Sequence, residues 1–168
     1  MLDRPRPVPS DPHRLPQVAL GACAHGAAVV AAAPFAPGEA VLSFEGPACA
    51  APSRFTVQVG ADLHVAPDDA LWAYVNHSCD PSCVIAFEPS GAGPARLVAR
   101  RAIARGEQIT FNYLTTEWEL AAPFECTCGA PACAGTIRGF AHLDRAARAA
   151  LASWLAPHLA SRLDDGAR

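Results

Sequence analysis

The sequence predicts one mostly-β domain with short helices, and three observations predict it. Short apolar runs recur along the chain, separated by glycine and proline turns. A clear helical period appears only near the C-terminus. The 168 residues, 51% hydrophobic and 17% charged, suffice for one core and leave little for a second.

In chain order, Pro5, Pro7, Pro9, Pro12 and Pro16 make residues 1–17 a disordered lead-in. Apolar runs at residues 28–33 and 40–44 flank Pro37-Gly38. Runs at 55–59 and 63–66 flank Gly60-Ala61-Asp62. Residues 84–87 and Arg96–Ala99 sit either side of a proline- and glycine-rich turn at 89–94, and the run 108–113 follows Arg105-Gly106. Their spacing predicts several small sheets with hairpins. Residues 67–75 read as one helical stretch, with Asp68 and Asp69 favourable in its first turn. A helix is expected over 144–156, where Leu143, Ala147, Leu151, Trp154 and Leu155 share a face and Asp144 faces Arg148. It packs on the core, Pro157 interrupts it, and the rest to Arg168 is expected to fray. No internal repeat is present.

The formal charge is −3 and the pI about 6.0. Binding to duplex nucleic acid rests on clustered cations that neutralise phosphates, so direct nucleic-acid contact is not expected. A mildly acidic surface suits a basic peptide. Arg96, Arg100, Arg101 and Arg105 cluster, but along a strand and turn they read as a solvated edge. All thirteen cations are arginine, so the chain has no side-chain amine of its own. The first seventeen residues lack the apolar core of a signal peptide, and no apolar run approaches membrane-spanning length. The expected compartment is the cytoplasm, with export by another route left open.

In a reducing compartment, closely spaced cysteines read as metal ligands before disulfides. Cys126, Cys128 and Cys133 lie within eight residues, with Gly129 and Pro131 turning the chain between them. A structural zinc wants four ligands, so a fourth must come from elsewhere. The segment Asn76-His77-Ser78-Cys79-Asp80-Pro81-Ser82-Cys83 offers His77, Cys79 or Cys83. Cys23 and Cys49 stand alone and read as small buried hydrophobes. Read by itself, the cluster also fits a zinc knuckle unconnected with catalysis.

Two segments together carry a resemblance. Asn76-His77-Ser78-Cys79-Asp80-Pro81, followed some thirty residues later by Gly106-Glu107-Gln108-Ile109-Thr110-Phe111-Asn112-Tyr113, resembles the signature pair of the SET-domain lysine methyltransferases. Cys126, Cys128 and Cys133 resemble that family's post-SET element, and the stretch from Gly26 to Gly38-Glu39 resembles its first motif. The resemblance implies a SET-domain β-clip of small sheets with a C-terminal pseudoknot, in which the Asn76-His77 segment is threaded by the later strand. It implies a SET domain over 18–122, a post-SET zinc-binding segment over 123–140, and a C-terminal helix and tail over 141–168. It also implies Cys79 as the fourth zinc ligand, leaving Cys83 free, and a zinc that pins the post-SET segment over the cofactor and substrate channel.

The implied activity is methyl transfer from S-adenosylmethionine to the lysine side-chain amine of a basic protein, with the di- or trimethyl state expected. The amine must be neutral to attack. With a free pKa near 10.4, neutralising it at pH 8 costs about 3 kcal/mol, which a dry channel and the adjacent sulfonium reduce. Tyr113 matches the active-site tyrosine. Phe111, Phe55 and Trp118 are assigned to the substrate channel, and Gly26, Ala28, Tyr74, Asn76, His77, Tyr113 and Phe140 to the cofactor. Glu117-Trp118-Glu119 reads as a solvated loop with a packed tryptophan, or as a cover for the substrate groove. The sequence departs from the family pattern at Ala28 (a glycine in the G-x-G form), Ser82 (an asparagine), Ala73 (often an arginine) and Phe55 (a second tyrosine in many relatives). Phe55 and Ala28 favour an alternative, a zinc-stabilised peptide-binding module without turnover. Intact Tyr113, Asn76 and His77 oppose it.

Overall fold

The computed structural model describes residues 17–68, 70–88 and 93–163. Nearly all of the expected lead-in, Asp69, most of the turn at 89–94 and the end of the C-terminal tail lie outside the described residues.

Among the described residues, twelve short strands form five small sheets. Val18–Cys23 (β1) and Gly26–Ala31 (β2) make an antiparallel hairpin in full register, Val18 opposite Ala31 and Cys23 opposite Gly26. Ala40–Ser43 (β3) begins a three-stranded sheet completed by later strands. Ala48–Cys49 (β4), Val57–Gly60 (β5) and Leu63–Val65 (β6) form a second sheet with β6 in the centre. Asn76–His77 (β7) follows, then Cys83–Ala86 (β8) and Arg96–Ala99 (β9), which joins β3 and β8 with itself in the middle. Thr110–Phe111 (β10) lies parallel to β7, with Thr110 opposite Asn76 and Phe111 opposite His77. Phe124–Glu125 (β11) and Thr136–Ile137 (β12) pair antiparallel and bracket the cysteine-rich segment.

Apolar side chains from these sheets converge on one core that includes Val29, Phe35, Phe44, Trp72, Leu97, Ile103, Ile109 and Phe111. Phe44 is its hub, meeting Trp72 and Phe111 edge-on at 5.3 and 5.8 Å, the geometry that aligns the positive ring edge with the negative face. Phe111 is thus tied into the core on one side while its strand neighbours face the site.

Three expectations change. Residues 67–75 contain only a 3₁₀ turn, Leu71–Tyr74, because the chain must extend at Val75 to pair at Asn76; the Trp72 indole N–H anchors the turn to the Glu45 carbonyl at 3.0 Å. The C-terminal helix is shorter than expected: Arg145–Leu151 (α1), with Asp144 as its N-cap accepting from the Ala147 N–H at 2.8 Å, passes into a 3₁₀ turn, Ala152–Trp154. Pro157 does not end the structure. It opens a second helix, Pro157–Ala160 (α2), since the first helical position needs no N–H, and Leu159 behind it is fully buried. The arginine edge is paired: Arg96 to Glu88, Arg100 to Asp80 and Arg101 to Glu107.

Candidate active site and thiol cluster

The parallel pairing of β7 and β10 brings Asn76-His77 beside Phe111–Tyr113, although some thirty residues of chain separate them. Ser82 fastens the pair. It is almost wholly buried; its hydroxyl accepts from the Thr110 N–H at 2.9 Å and lies 3.2 Å from the Gln108 carbonyl, while its own N–H donates to Thr110 Oγ1 at 3.1 Å. A second tie comes from His77, whose Nδ1 accepts from the Tyr113 N–H at 3.1 Å. Nδ1 must therefore be unprotonated, which leaves the ring hydrogen on Nε2, 3.3 Å from Cys79 Sγ. Burial lowers the His77 pKa to about 4, so the ring is neutral and stays in this role.

A cavity of about 720 Å³ opens along this pair, within the range of small-ligand sites. Its walls run from Cys23–His25 at the β1–β2 tip, past Asn76 and His77, to Phe111, Tyr113 and Glu117. The segment 120–128 forms the facing wall, with Phe55 at the side. Tyr113 packs against Phe111 at 4.7 Å and His77 at 5.2 Å, and its hydroxyl donates to the Val75 carbonyl at 2.7 Å. Burial, then the nearby Glu117 carboxylate, push its pKa upward, so it remains a neutral phenol.

At one end of the cavity the sulfurs of Cys79, Cys126, Cys128 and Cys133 all lie within 4.8 Å of one another. Cys79 is 3.9 Å from both Cys126 and Cys133. Sulfurs bound to a tetrahedral ion at about 2.3 Å would be about 3.8 Å apart, so the set fits one metal ion. Their proton affinities diverge within the cluster. Burial pushes Cys79 and Cys126 up, the latter to about 11. Burial of Cys128 is outweighed by hydrogen bonds from the Ala130 and Cys79 backbones and from neighbouring thiols, which bring it down to about 6. Four thiols this close ionise together only with a cation among them. Cys83 stays outside the cluster, fully buried, with its thiol pushed up to about 11 by burial.

A family model for the SET domain matches residues 26–114, more than half of the chain. The chain belongs to the SET domain family. Similar curated proteins include methyltransferase flvH of Aspergillus flavus, 36% identical over 104 residues that make up 62% of this chain and 55% of that protein. Another is the histone-lysine N-methyltransferase, H3 lysine-36 specific, of Mycosarcoma maydis, 38% identical over 72 residues, 42% of this chain and 7% of that one. The chain thus spans about half the length of the first relative and a small part of the second. Among solved structures, KRYPTONITE in complex with mCHG DNA and SAH aligns over 68% of this chain and 27% of its own, with a TM-score of 0.56 and 16% identity. The methyltransferase domain of human histone-lysine N-methyltransferase SETMAR aligns over 70% of this chain and 55% of its own, with a TM-score of 0.55 and 15% identity. They share the SET fold.

Within this SET domain the residues assigned from sequence separate into two sets. Asn76, His77, Phe111, Tyr113 and Phe55 line the cavity, with Cys126 and Cys128 at its thiol end. Asn76 Nδ2 donates to the Ala27 carbonyl at 3.2 Å, tying β7 to the hairpin. Phe55 is 46% exposed and precedes β5, on a turn held by the Ser53 N–H to Thr56 Oγ1 at 2.8 Å rather than at the head of a strand.

Trp118 and Phe140 stand behind the wall. Trp118 packs against Phe140 at 6.2 Å, with the Arg162 guanidinium 4.8 Å from its ring, and does not line the cavity; Phe140 is wholly buried. Their backbones meet across Gly139, whose φ of +126° and close approach leave no room for a Cβ, which would lie 2.5 Å from the Trp118 carbonyl. Gly26, with φ +115°, requires glycine for its backbone conformation, since no protein atom lies within 4 Å of a Cβ placed there. Ala28 is fully buried and Tyr74 is 43% exposed; neither lines the cavity.

Sequence reasoning missed two wall residues. Cys23, read as a buried hydrophobe, lines the cavity and accepts from Asn76 Nδ2 at 3.6 Å. Glu117, read within a segment that is either a solvated loop or a cover for the substrate groove and given no role of its own, is 7% exposed and reaches the cavity. No periodicity marks either one; only the fold back of the chain after Tyr113 does.

Proposed function

We propose that this SET domain transfers methyl groups from S-adenosylmethionine to the side-chain amine of lysine in a basic protein, with one zinc ion in the thiol cluster. The observation that carries the reading is the single cavity shared by Asn76, His77, Phe111 and Tyr113 and bordered at one end by Cys126 and Cys128 of the four-thiol cluster. Names borne by its relatives, histone-lysine N-methyltransferases among them, support the same activity, as does a structural neighbour solved with SAH and an H3 peptide. Four thiolates at tetrahedral spacing suit zinc better than harder ions. A reducing compartment such as the cytoplasm would keep them available. Among the described residues no helix is long and apolar enough to cross a membrane.

S-adenosylmethionine supplies the electrophilic methyl. The chain's residues supply position and dryness. Asn76 and His77 form the floor at the cofactor end, held to the hairpin and to Tyr113 by the bonds given above. Tyr113, its hydroxyl fixed on the Val75 carbonyl, sets the narrow point where an amine meets the methyl, and alignment there supplies much of the rate. Phe111 brings no hydroxyl to hold water, which leaves room for methyl groups and favours the di- or trimethyl product. His77, with Nε2–H to Cys79 and Nδ1 accepting from the Tyr113 N–H, links the thiol cluster to the Tyr113 backbone, so ordering one orders the other.

Tritiated methyl transfer to core histones and other lysine-rich proteins tests the reading, because a chain without lysine gives no side-chain self-labelling. Label that is lost in Tyr113→Phe and in Cys128→Ser establishes it. Labelling equal in wild type and Tyr113→Phe, or bound cofactor with no transfer to any of these proteins, overturns it in favour of a binding module.

A further inference from the structure

Methyl transfer to an amine leaves one requirement that the residues above do not meet. The amine enters as an ammonium and must lose a proton before its lone pair can attack. Tyr113 cannot take that proton: its hydroxyl already donates to the Val75 carbonyl, and it would first have to ionise. His77 Nδ1 is occupied by the Tyr113 N–H, and its Nε2 faces Cys79. Glu125 is exposed and engaged by the Thr136 hydroxyl at 2.7 Å. His25, at the far tip, pairs with the Thr127 hydroxyl at 2.9 Å.

Glu117 remains. Its Oε1 accepts from the Gln58 N–H at 2.8 Å and from the Thr116 hydroxyl at 3.2 Å. Those bonds fix the carboxylate in place, while Oε2 accepts no hydrogen bond from any described residue. The nearest cationic candidate, His64 Nε2 on β6, is 4.0 Å away and is held neutral by burial, its Nδ1 without a partner. His158 of α2 bonds the Thr116 carbonyl at 2.8 Å rather than the carboxylate, and is likewise kept neutral by burial. Tyr113 faces it as a neutral phenol, and Arg54 lies on the Phe55 side of the cavity, over that ring at 5.2 Å. A buried carboxylate without a counter-ion is a costly arrangement, and a cationic ligand in the cavity would relieve it.

From this arrangement, and resting on the methyl-transfer reading, we infer that Glu117 is a catalytic residue that draws the substrate ammonium into the cavity and accepts its proton. An N–H bond of the ammonium breaks and an O–H bond forms on Oε2. The freed amine then forms the N–C bond as the C–S bond breaks with its electron pair going to sulfur, and the product leaves as a methylated ammonium. Burial raises the Glu117 carboxyl from 4.5 to about 7, which brings it closer to the amine it would deprotonate and into the range where a general base works at neutral pH.

The first test does not need turnover. In protein carrying ¹³C-labelled glutamate and bound S-adenosylhomocysteine, one carboxyl absent from Glu117→Gln should titrate near neutral pH. Adding n-butylammonium should lower its midpoint by a unit or more, and neutral n-butanol should not. A midpoint indifferent to the ammonium makes Glu117 a clamp for Gln58 and overturns the proposal, whether or not the chain transfers methyl groups. The second test is the pH dependence of kcat/KM with a lysine-containing H3 peptide. Wild type should show an acid limb near pH 7. Glu117→Gln should lose that limb and fall 10²-fold or more, with cofactor affinity retained. An unchanged limb in the variant also overturns it.

Discussion

The two walls of the cavity are held by different means. On one side, β7 and β10 lie against the core: Phe111, Asn112, Ser82 and Thr115 are all nearly inaccessible, and their polar groups are satisfied by one another. On the other, residues 121–136 are almost all at the surface, held by two-residue strands and a few mostly exposed bonds, among them the Cys126 N–H to the Gly135 carbonyl at 2.8 Å and the Ala134 N–H to Cys79 Sγ at 3.4 Å. Ile137, fully buried, is where this wall rejoins the core. The first wall has enough burial to stand alone. The second has too little apolar area to offset its chain entropy, and a metal ion held by the four thiols, as proposed, would supply that order.

Metal removal should therefore separate the walls, and this is the largest effect expected. Chelation, or Cys128→Ser, should strip hydrogen-exchange protection from residues 121–137 and abolish methyl transfer, while the amides of β7, β8 and β10 keep theirs. Elemental analysis should give one metal ion per chain before chelation. Loss of protection in both walls together would break the contrast.

The next effect sits at the junction of the walls, in Glu117. Its carboxyl ionises at 4.5 in the unfolded chain and near 7 in the folded one. Between those values the native state holds a proton that the unfolded state has released. The stability it contributes is full below pH 4.5 and is lost as pH rises through 7. At about 1.4 kcal/mol per pH unit the total is roughly 3 kcal/mol. His64, His77 and His158, whose pKa values are lowered by burial, act in the opposite sense, adding stability as pH rises toward 6.5. They are common to wild type and Glu117→Gln, so the difference between the two unfolding curves isolates Glu117. That difference should shift in favour of the variant from pH 5 to 8 in the apo protein. A flat difference would place the carboxyl in a wetter setting than its burial indicates.

Within the buried wall, Ser82→Ala removes the hydroxyl that Thr110 N–H and Gln108 O share and leaves those groups buried without a partner. A loss of about 1–3 kcal/mol in urea unfolding is expected, with the thiol segment's metal content unchanged.

What the sequence made legible follows the same division. The strands of the core are punctuated by turns whose residues dictate their geometry, and Arg96–Ala99 falls where the apolar run lies. Cys126, Cys128 and Cys133 are legible because thiols at short spacing have few other uses, whereas Cys79 as their partner follows only from the family resemblance. β1 is not: Val-Ala-Leu-Gly-Ala-Cys lacks β-branched enrichment, and its Ala24-His25 tip carries no turn signature. Glu117 is hidden for a different reason. A carboxylate between Thr116 and Trp118 looks like a solvated loop until β5 supplies the Gln58 N–H that buries it. Pro157 looks like a stop because its role at a helix start depends on the chain that follows.

The smallest effect lies where the exposed wall touches the hairpin. Thr127 Oγ1 and His25 Nε2, 2.9 Å apart, join the metal segment to the β1–β2 tip across the mouth of the cavity. Both groups are exposed, so their bond competes with water and is worth on the order of 0.5–1 kcal/mol. Its position gives it more reach than its strength, because it joins the thiol segment to the hairpin across the end of the cavity proposed to take the cofactor. His25→Ala should weaken S-adenosylmethionine binding about threefold, the equivalent of that bond, in the metal-loaded protein. In Cys128→Ser, where the segment is already loose, the same substitution should change nothing. Calorimetric titration of the four proteins reads the coupling, and equal losses in both backgrounds would show that His25 acts on the cofactor directly rather than through the wall it latches.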